Sequence, residues 1–231
     1  MNIMYTIGIV KGLSKNETTS IRELVEFVLP QDYLTFLTEY GYGEINETIF
    51  FQNPDAKYMK NNFSEYMDLW EWENEAQKES TLRGLTIATT IDGDIVCCVN
   101  NYNSPYLLIP RHSEKPIKFD NLTSLFSDYF GKHKSENLYF DTYFNAERKI
   151  ISLAKNGQLD QNLINKIQKL FLEKYQFDRV LKKETQPKYV MQEIGGWVYF
   201  DLIYKSSIRV KYQTIFELKA KNIIDFIELQ T

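Results

Sequence analysis

SIRELVEFVLPQDYLTFLTEYGYG, residues Ser20–Gly43, carries two helix signals on either side of a proline. Ser20 with Glu23 has the S-x-x-E spacing of a capping box, in which the hydroxyl accepts the N3 amide and the carboxylate reaches back to the cap amide. Leu24, Phe27 and Val28 then recur at one-turn spacing and predict a short helix with one apolar face. Leu29-Pro30 breaks it, because proline has no amide proton and a fixed φ that suits the first turn of a new helix. Tyr33, Phe36, Leu37 and Tyr40 predict that second helix, and Gly41, followed by Gly43, its left-handed stop.

Working outward, Ile3–Val10 is apolar enough for an edge strand, and Lys11–Thr19 is polar and loop-like. Thr48–Phe51 predicts a strand ending at the turn signal Asn53-Pro54. Tyr58–Ser80 predicts a helix with Phe63, Met67, Leu69 and Trp70 on its apolar face. Leu85–Ile91 and Ile95–Val99 form the clearest hairpin, with Asp92-Gly93 supplying the positive φ of a tight turn. Tyr106–Ile109 and Ile117–Phe119 follow as strands, and Asp120 or Asn121 caps a helix carrying Leu122, Leu125, Phe126, Tyr129 and Phe130. This order of helices, strands and helix predicts an α+β fold with a mixed or antiparallel sheet flanked by helices.

Several of these segments resemble the SUKH superfamily, which includes a domain of a fungal cell-wall assembly regulator. The likeness rests on Leu29-Pro30, Asp32-Tyr33, Phe36-Leu37 and the closing Tyr40-Gly41. Downstream it includes Gly84–Ala88 leading into Asp92-Gly93-Asp94, Tyr106–Pro110 and Phe119–Phe126. It spans roughly residues 20–130, so its motif residues here are Leu29, Pro30, Tyr33, Phe36, Leu37, Gly41, Gly43, Asp92 and Gly93. Bacterial domains of this kind are similar to immunity proteins, which bind and neutralise a toxin, often a nuclease. The resemblance brings a toxin-binding expectation and no catalytic residues.

Gly131–Ser135 combines a glycine stop, a polar run and a change of charge sign. It predicts a SUKH-like domain over 1–134 and an α+β extension or second small domain over 135–231. In the latter, residues from Asn145 or Ala146 to Lys155 are expected to be helical. Asp160 caps a helix striped by Leu163, Ile164, Ile167, Leu170, Phe171 and Tyr175. Tyr189–Met191, Trp197–Tyr204 and Ile208–Gln213 predict strands, and Phe216–Leu229 a closing helix.

Residues 1–135 hold 12 Lys and Arg against 19 Asp and Glu, whereas residues 136–231 hold 15 against 12. An acidic front half disfavours phosphate backbones and favours a basic partner surface. Glu65–Glu79 concentrates six of those acids around Tyr66, Trp70 and Trp72. If Trp70 lies on a buried helical stripe, a residue two positions on is about 200° away. Trp72 is then the exposed anchor, surrounded by Glu65, Asp68, Glu71, Glu73 and Glu75, and these six residues are the expected partner-binding set. The competing reading is a solvated acidic helix with its tryptophans in the core.

Other candidates favour structural roles. Asp92 and Asp94 suit a hairpin turn better than a metal site, since hard cations draw oxygens from several segments. His112 and His133 lie in polar loops with no nominated partner, and no serine sits in a nucleophile elbow. Arg179, Lys182, Lys183 and Lys188 form a loose basic patch, too sparse for a nucleic-acid surface. Cys97 and Cys98 are strand neighbours pointing to opposite faces, which disfavours a bridge. The expectation is therefore a cytoplasmic, bacterial, non-enzymatic protein that binds a toxin or another protein, without cofactor, metal, nucleic acid or membrane. A regulatory or scaffold module of the same fold is the alternative, and an enzyme with an unrecognised site the third.

Overall fold

The computed structural model describes residues 4–101, 103–131, 138–155, 158–160, 162–181 and 184–231. The chain is α+β and divides into two compact units, Met1–Tyr5 with Val10–Thr142, and Thr6–Ile9 with Tyr143–Thr231. The division falls after Thr142, not after residue 134, and four residues near the amino terminus belong to the second unit. The expected boundary signal at 132–135 lies outside the described residues, as do His133, Lys182 and Lys183.

In chain order the first stretch contains β1 (Tyr5–Ile7), α1 (Lys15–Arg22), α2 (Gln31–Tyr40), β2 (Gly43–Ile45), β3 (Ile49–Asp55), α3 (Tyr58–Phe63), α4 (Glu75–Leu82), β4 (Leu85–Thr90), β5 (Ile95–Cys98), β6 (Tyr106–Ile109), β7 (Ile117–Phe119), α5 (Leu122–Phe130) and β8 (Tyr139–Thr142). The sheet order is β1-β8-β2-β3-β4-β5-β6-β7, antiparallel throughout from β8 to β7. Strand alternation sorts the side chains. Leu85, Ile87, Val96, Cys98, Tyr106 and Leu108 face one core with α2 and α5. Ile95, Cys97, Val99, Leu107 and Ile109 face another, covered by Met59, Met67 and Trp70. Both faces are covered, so β5 and β6 are buried along their whole length. Cys97 and Cys98 fall in different cores, as neighbours on a strand must. Burial pushes the Cys97 thiol up to about 12.

Phe36 is the hub of the first core. Its ring meets Tyr40, Phe51, Phe126 and Phe140 at centroid separations of 4.4–6.4 Å, joining α2 to β3, α5 and β8. Pro30 sits at the cap of α2, and Gly41 ends it with φ of 71°. A Cβ on Gly43 would lie 2.4 Å from the Phe140 ring, so β2 passes that ring only as glycine. Asp32, in the first turn of α2, accepts the Tyr106 hydroxyl at 2.6 Å and the Leu122 amide at 2.7 Å. One carboxylate thus fixes α2 to β6 and to the start of α5.

Several expectations are corrected. The capping box that forms is Ser14/Glu17, opening α1, which ends before Leu24; Val28 is 94% exposed. Ser20/Glu23 has the same spacing, but a helix begun there would run straight into Leu29-Pro30. Residues 15–19 of the expected polar loop Lys11–Thr19 are therefore helical. β3 runs through Asn53-Pro54, and the register shift between Phe51 and Asp55 is the kind of irregularity that tolerates a proline. Tyr58–Ser80 is not one helix but α3, a 3-10 turn at Met67–Leu69, an extended stretch and α4. Residues 146–152 are a strand, described next.

The second unit contains β9 (Ala146–Ser152), β10 (Ala154–Lys155), β11 (Gln158–Leu159), α6 (Leu163–Lys174), β12 (Arg179–Leu181), β13 (Lys188–Met191), β14 (Gly196–Phe200), β15 (Ser207–Gln213) and α7 (Glu217–Glu228). An antiparallel sheet, β12-β13-β14-β15-β9, packs Tyr189, Met191, Val198, Phe200, Ile208 and Val210 against α6 and α7. β9 pairs with β15 over seven residues, and that ladder overrides the helix propensity of Ala-Glu-Arg-Lys. Asn162, not Asp160, occupies the cap of α6; Asp160 accepts the Asn162 amide. Residues 6–9 enter this unit through two glutamine side chains that act as surrogate backbone. Gln192 accepts the Gly8 amide and donates to the Thr6 carbonyl, and Gln213 does the same for both groups of Ile9.

Candidate functional site

The expected site lies between α3 and α4, where the chain crosses one face of the first sheet. Its conformation follows from the tryptophans. Trp70 is buried and donates its indole N–H to the Pro110 carbonyl at 2.8 Å. Trp72 is half-buried, donates to the Met67 carbonyl at 2.6 Å and meets Trp70 edge-to-face at 6.1 Å. Between them the Glu71 amide donates to the Glu114 carbonyl at 2.7 Å. These bonds hold the stretch extended, so the helical argument that separated the two rings fails and both turn inward. Trp72 is not the exposed anchor. The exposed apolar groups are Tyr66 at 56% and Leu69 at 60%.

The carboxylates are placed as expected of a surface: Glu65, Asp68, Glu71, Glu73 and Glu75 are all exposed. Three are partnered by lysines of the same unit. Asp68 pairs with Lys78 at 3.1 Å and Glu71 with Lys115 at 3.4 Å, while Glu73 pairs with Lys118. Hydrogen bonding to Asp68 holds the Lys78 ammonium above its usual pKa. Exposed pairs of this kind contribute about 0–1 kcal/mol each, so these lysines hold the carboxylates only weakly. Among the described residues Glu65 and Glu75 have no ion pair.

A cleft of about 250 Å³ opens beside this segment. Asn74 caps α4 by accepting the Gln77 amide at 2.9 Å, and α4 then supplies Ala76, Gln77 and Ser80 as one wall. The loop after β5 supplies Asn100, Asn101 and Ser104; Asn101 accepts the Asn103 and Ser104 amides, and Ser80 Oγ accepts the Asn100 amide at 3.2 Å. Glu73 and Lys118 line it as a pair, with Val99 and Leu107 as apolar floor. Sequence spacing could not nominate this cleft, because its walls come from segments joined only by the sheet.

No protein-family model matches the sequence, and no solved structure matches the fold.

The remaining candidates fall where turns and packing require them. Asp92 accepts the Tyr129 hydroxyl at 3.1 Å, and Asp94 accepts the Arg111 amide at 2.9 Å; Gly93 has φ of 87° in the hairpin. Among the described residues no group of three His, Cys, Asp or Glu is placed to hold a metal ion. His112 is an exposed loop residue. Arg179 and Lys188 lie on the sheet face of the second unit that also carries Trp197, Tyr199, Arg209 and Lys211. Lys188 sits over the Trp197 ring at 4.1 Å and Arg209 over Tyr199 at 5.5 Å. The aromatic partners come from β14, too distant in sequence to be read with the patch. Lys188 and Lys211 are fully buried, so they present no charge to a phosphate. Among the described residues no helix is long and apolar enough to cross a membrane.

Proposed function

We propose that this chain is a non-enzymatic binding protein of the bacterial immunity type, neutralising a cognate toxin by occupying its basic surface. The observation that carries the reading is the exposure of five carboxylates, Glu65, Asp68, Glu71, Glu73 and Glu75, beside Tyr66 and Leu69. An exposed tyrosine on a segment rich in exposed carboxylates complements a cationic cleft such as a nuclease uses for phosphate, and charge complementarity speeds and orients such an encounter. The likeness to SUKH domains around Leu29–Gly43 supports the same reading, and Trp72 contributes by bracing the segment from beneath.

The test is pull-down from the native cell followed by co-expression. One dominant toxin domain should co-purify, and co-expression should restore growth. Glu65→Lys with Glu75→Lys should abolish the complex on a sizing column while leaving the fold intact. Unrestored growth and no complex would remove the proposal. Recovery of a housekeeping protein through the same face would favour a regulatory module instead.

A further inference from the structure

We infer that the cleft between α4 and the β5–β6 loop receives an arginine side chain of the partner, with Glu73 as its counter-ion and Lys118 as a competing internal occupant. This deepens the binding-protein reading and rests on it. At about 250 Å³ the cleft is smaller than the roughly 300–1,000 Å³ typical of pockets for drug-sized ligands, and it matches a single long side chain. Its lining suits one type. Ala76, Val99 and Leu107 offer apolar contact for a methylene stem, while Glu73, Ser80 and Asn100 offer oxygen acceptors. A guanidinium has five donors in a fixed plane and no acceptor, and an ammonium has three on a point, so the divided acceptors favour arginine.

Lys118 makes the site self-occupied. Its ammonium, on β7, already pairs with Glu73, and its side chain retains about a third of its exposure. An incoming arginine must displace an exposed ion pair, which is a weak competitor. Loss of Glu73 charge and loss of Lys118 should therefore act in opposite directions, while loss of an exposed acid remote from the cleft should change neither.

The probe is N-acetyl-arginine amide, titrated into the full-length protein and followed by amide NMR shifts at Ser80, Asn100 and Asn101. Saturable shifts are expected, and the citrulline analogue, which is neutral and carries a carbonyl oxygen in place of one NH2 group, should bind at least about tenfold more weakly. Glu73→Gln should weaken arginine by up to about fivefold, whereas Lys118→Met should tighten it by about threefold. Glu39→Gln, which removes an exposed acid elsewhere on the unit, should change neither affinity nor melting temperature. Linear shifts, equal arginine and citrulline binding, indifference to Glu73→Gln, or weakening by Lys118→Met would each overturn the assignment. Arginine binding without any recoverable protein partner would sink the toxin-binding reading and leave the cleft. A partner captured through Glu65 and Glu75, with no saturable arginine shift, would do the reverse.

Discussion

Replacing Gln213 with leucine tests whether two side-chain amides hold residues 6–9 in the second unit. Gln213 is fully buried, and its carboxamide makes three bonds: it accepts the Ile9 amide at 2.9 Å and donates to the carbonyls of Ile9 and Phe144, both at 2.8 Å. Leucine has nearly the same volume, so little cavity forms and the loss is polar. Orphaning a buried backbone group costs about 1–3 kcal/mol, and a net hydrogen bond to a group that water can reach contributes about 1 kcal/mol. Ile9 is half exposed and Phe144 partly buried, so all three bonds count at the lower figure, giving about 3 kcal/mol. Gly8 compounds the effect: with φ of 79° and a would-be Cβ 2.7 Å from the Gly195 carbonyl, the strap has no alternative course. The assay is urea unfolding read through hydrogen exchange of β14 and β15 amides, with the Gly8 and Ile9 amides monitored separately. The expected result is a lower midpoint for the second unit and early loss of protection at Gly8 and Ile9. A destabilisation below about 0.5 kcal/mol, with protection at Ile9 unchanged, would refute the account, because that is the range of an inert surface change.

Three further outcomes follow. Tyr33→Phe should be neutral or stabilise by about 1 kcal/mol, since the Tyr33 hydroxyl is buried without a hydrogen-bond partner among the described residues; a loss above about 1 kcal/mol in denaturant melts would reveal one. Gly43→Ala should cost about 2–4 kcal/mol, because its Cβ meets the Phe140 ring and the Asp141 carbonyl, and thermal melting of the first unit reads this directly. Alkaline pH should destabilise the first unit. Burial raises the Cys97 thiol from 9.0 to about 12, so the unfolded chain releases its proton first; that stability is full below about pH 9 and is lost as pH rises toward 12, at up to about 1.4 kcal/mol per unit. Cys97→Ala should flatten that slope in urea midpoints taken from pH 8 to 11.

The sequence announced whatever depends on neighbours along the chain and hid whatever depends on partners across the fold. The β4–β5 hairpin was legible because Asp92-Gly93 sits between two apolar runs, and α6 because Ile164, Ile167 and Phe171 repeat at helical spacing. Two S-x-x-E boxes lie six residues apart, and their identical spacing does not rank them. The choice falls to tertiary structure, which buries Thr18 and Ile21 and leaves the residues before Pro30 free to turn into α2. β9 was missed because its stabilising ladder lies sixty residues downstream in β15. Trp72 was misplaced for the same reason: helical geometry was assumed for a stretch whose backbone and ring bonds go to Glu114 and Met67 instead. The acids of that stretch needed no such information. A carboxylate without a buried partner must face water in any conformation, so Glu65 and Glu75 were placed on the surface by solvation alone. That asymmetry explains why an exposed charged surface can be anticipated from composition while the burial of the tryptophans within it cannot.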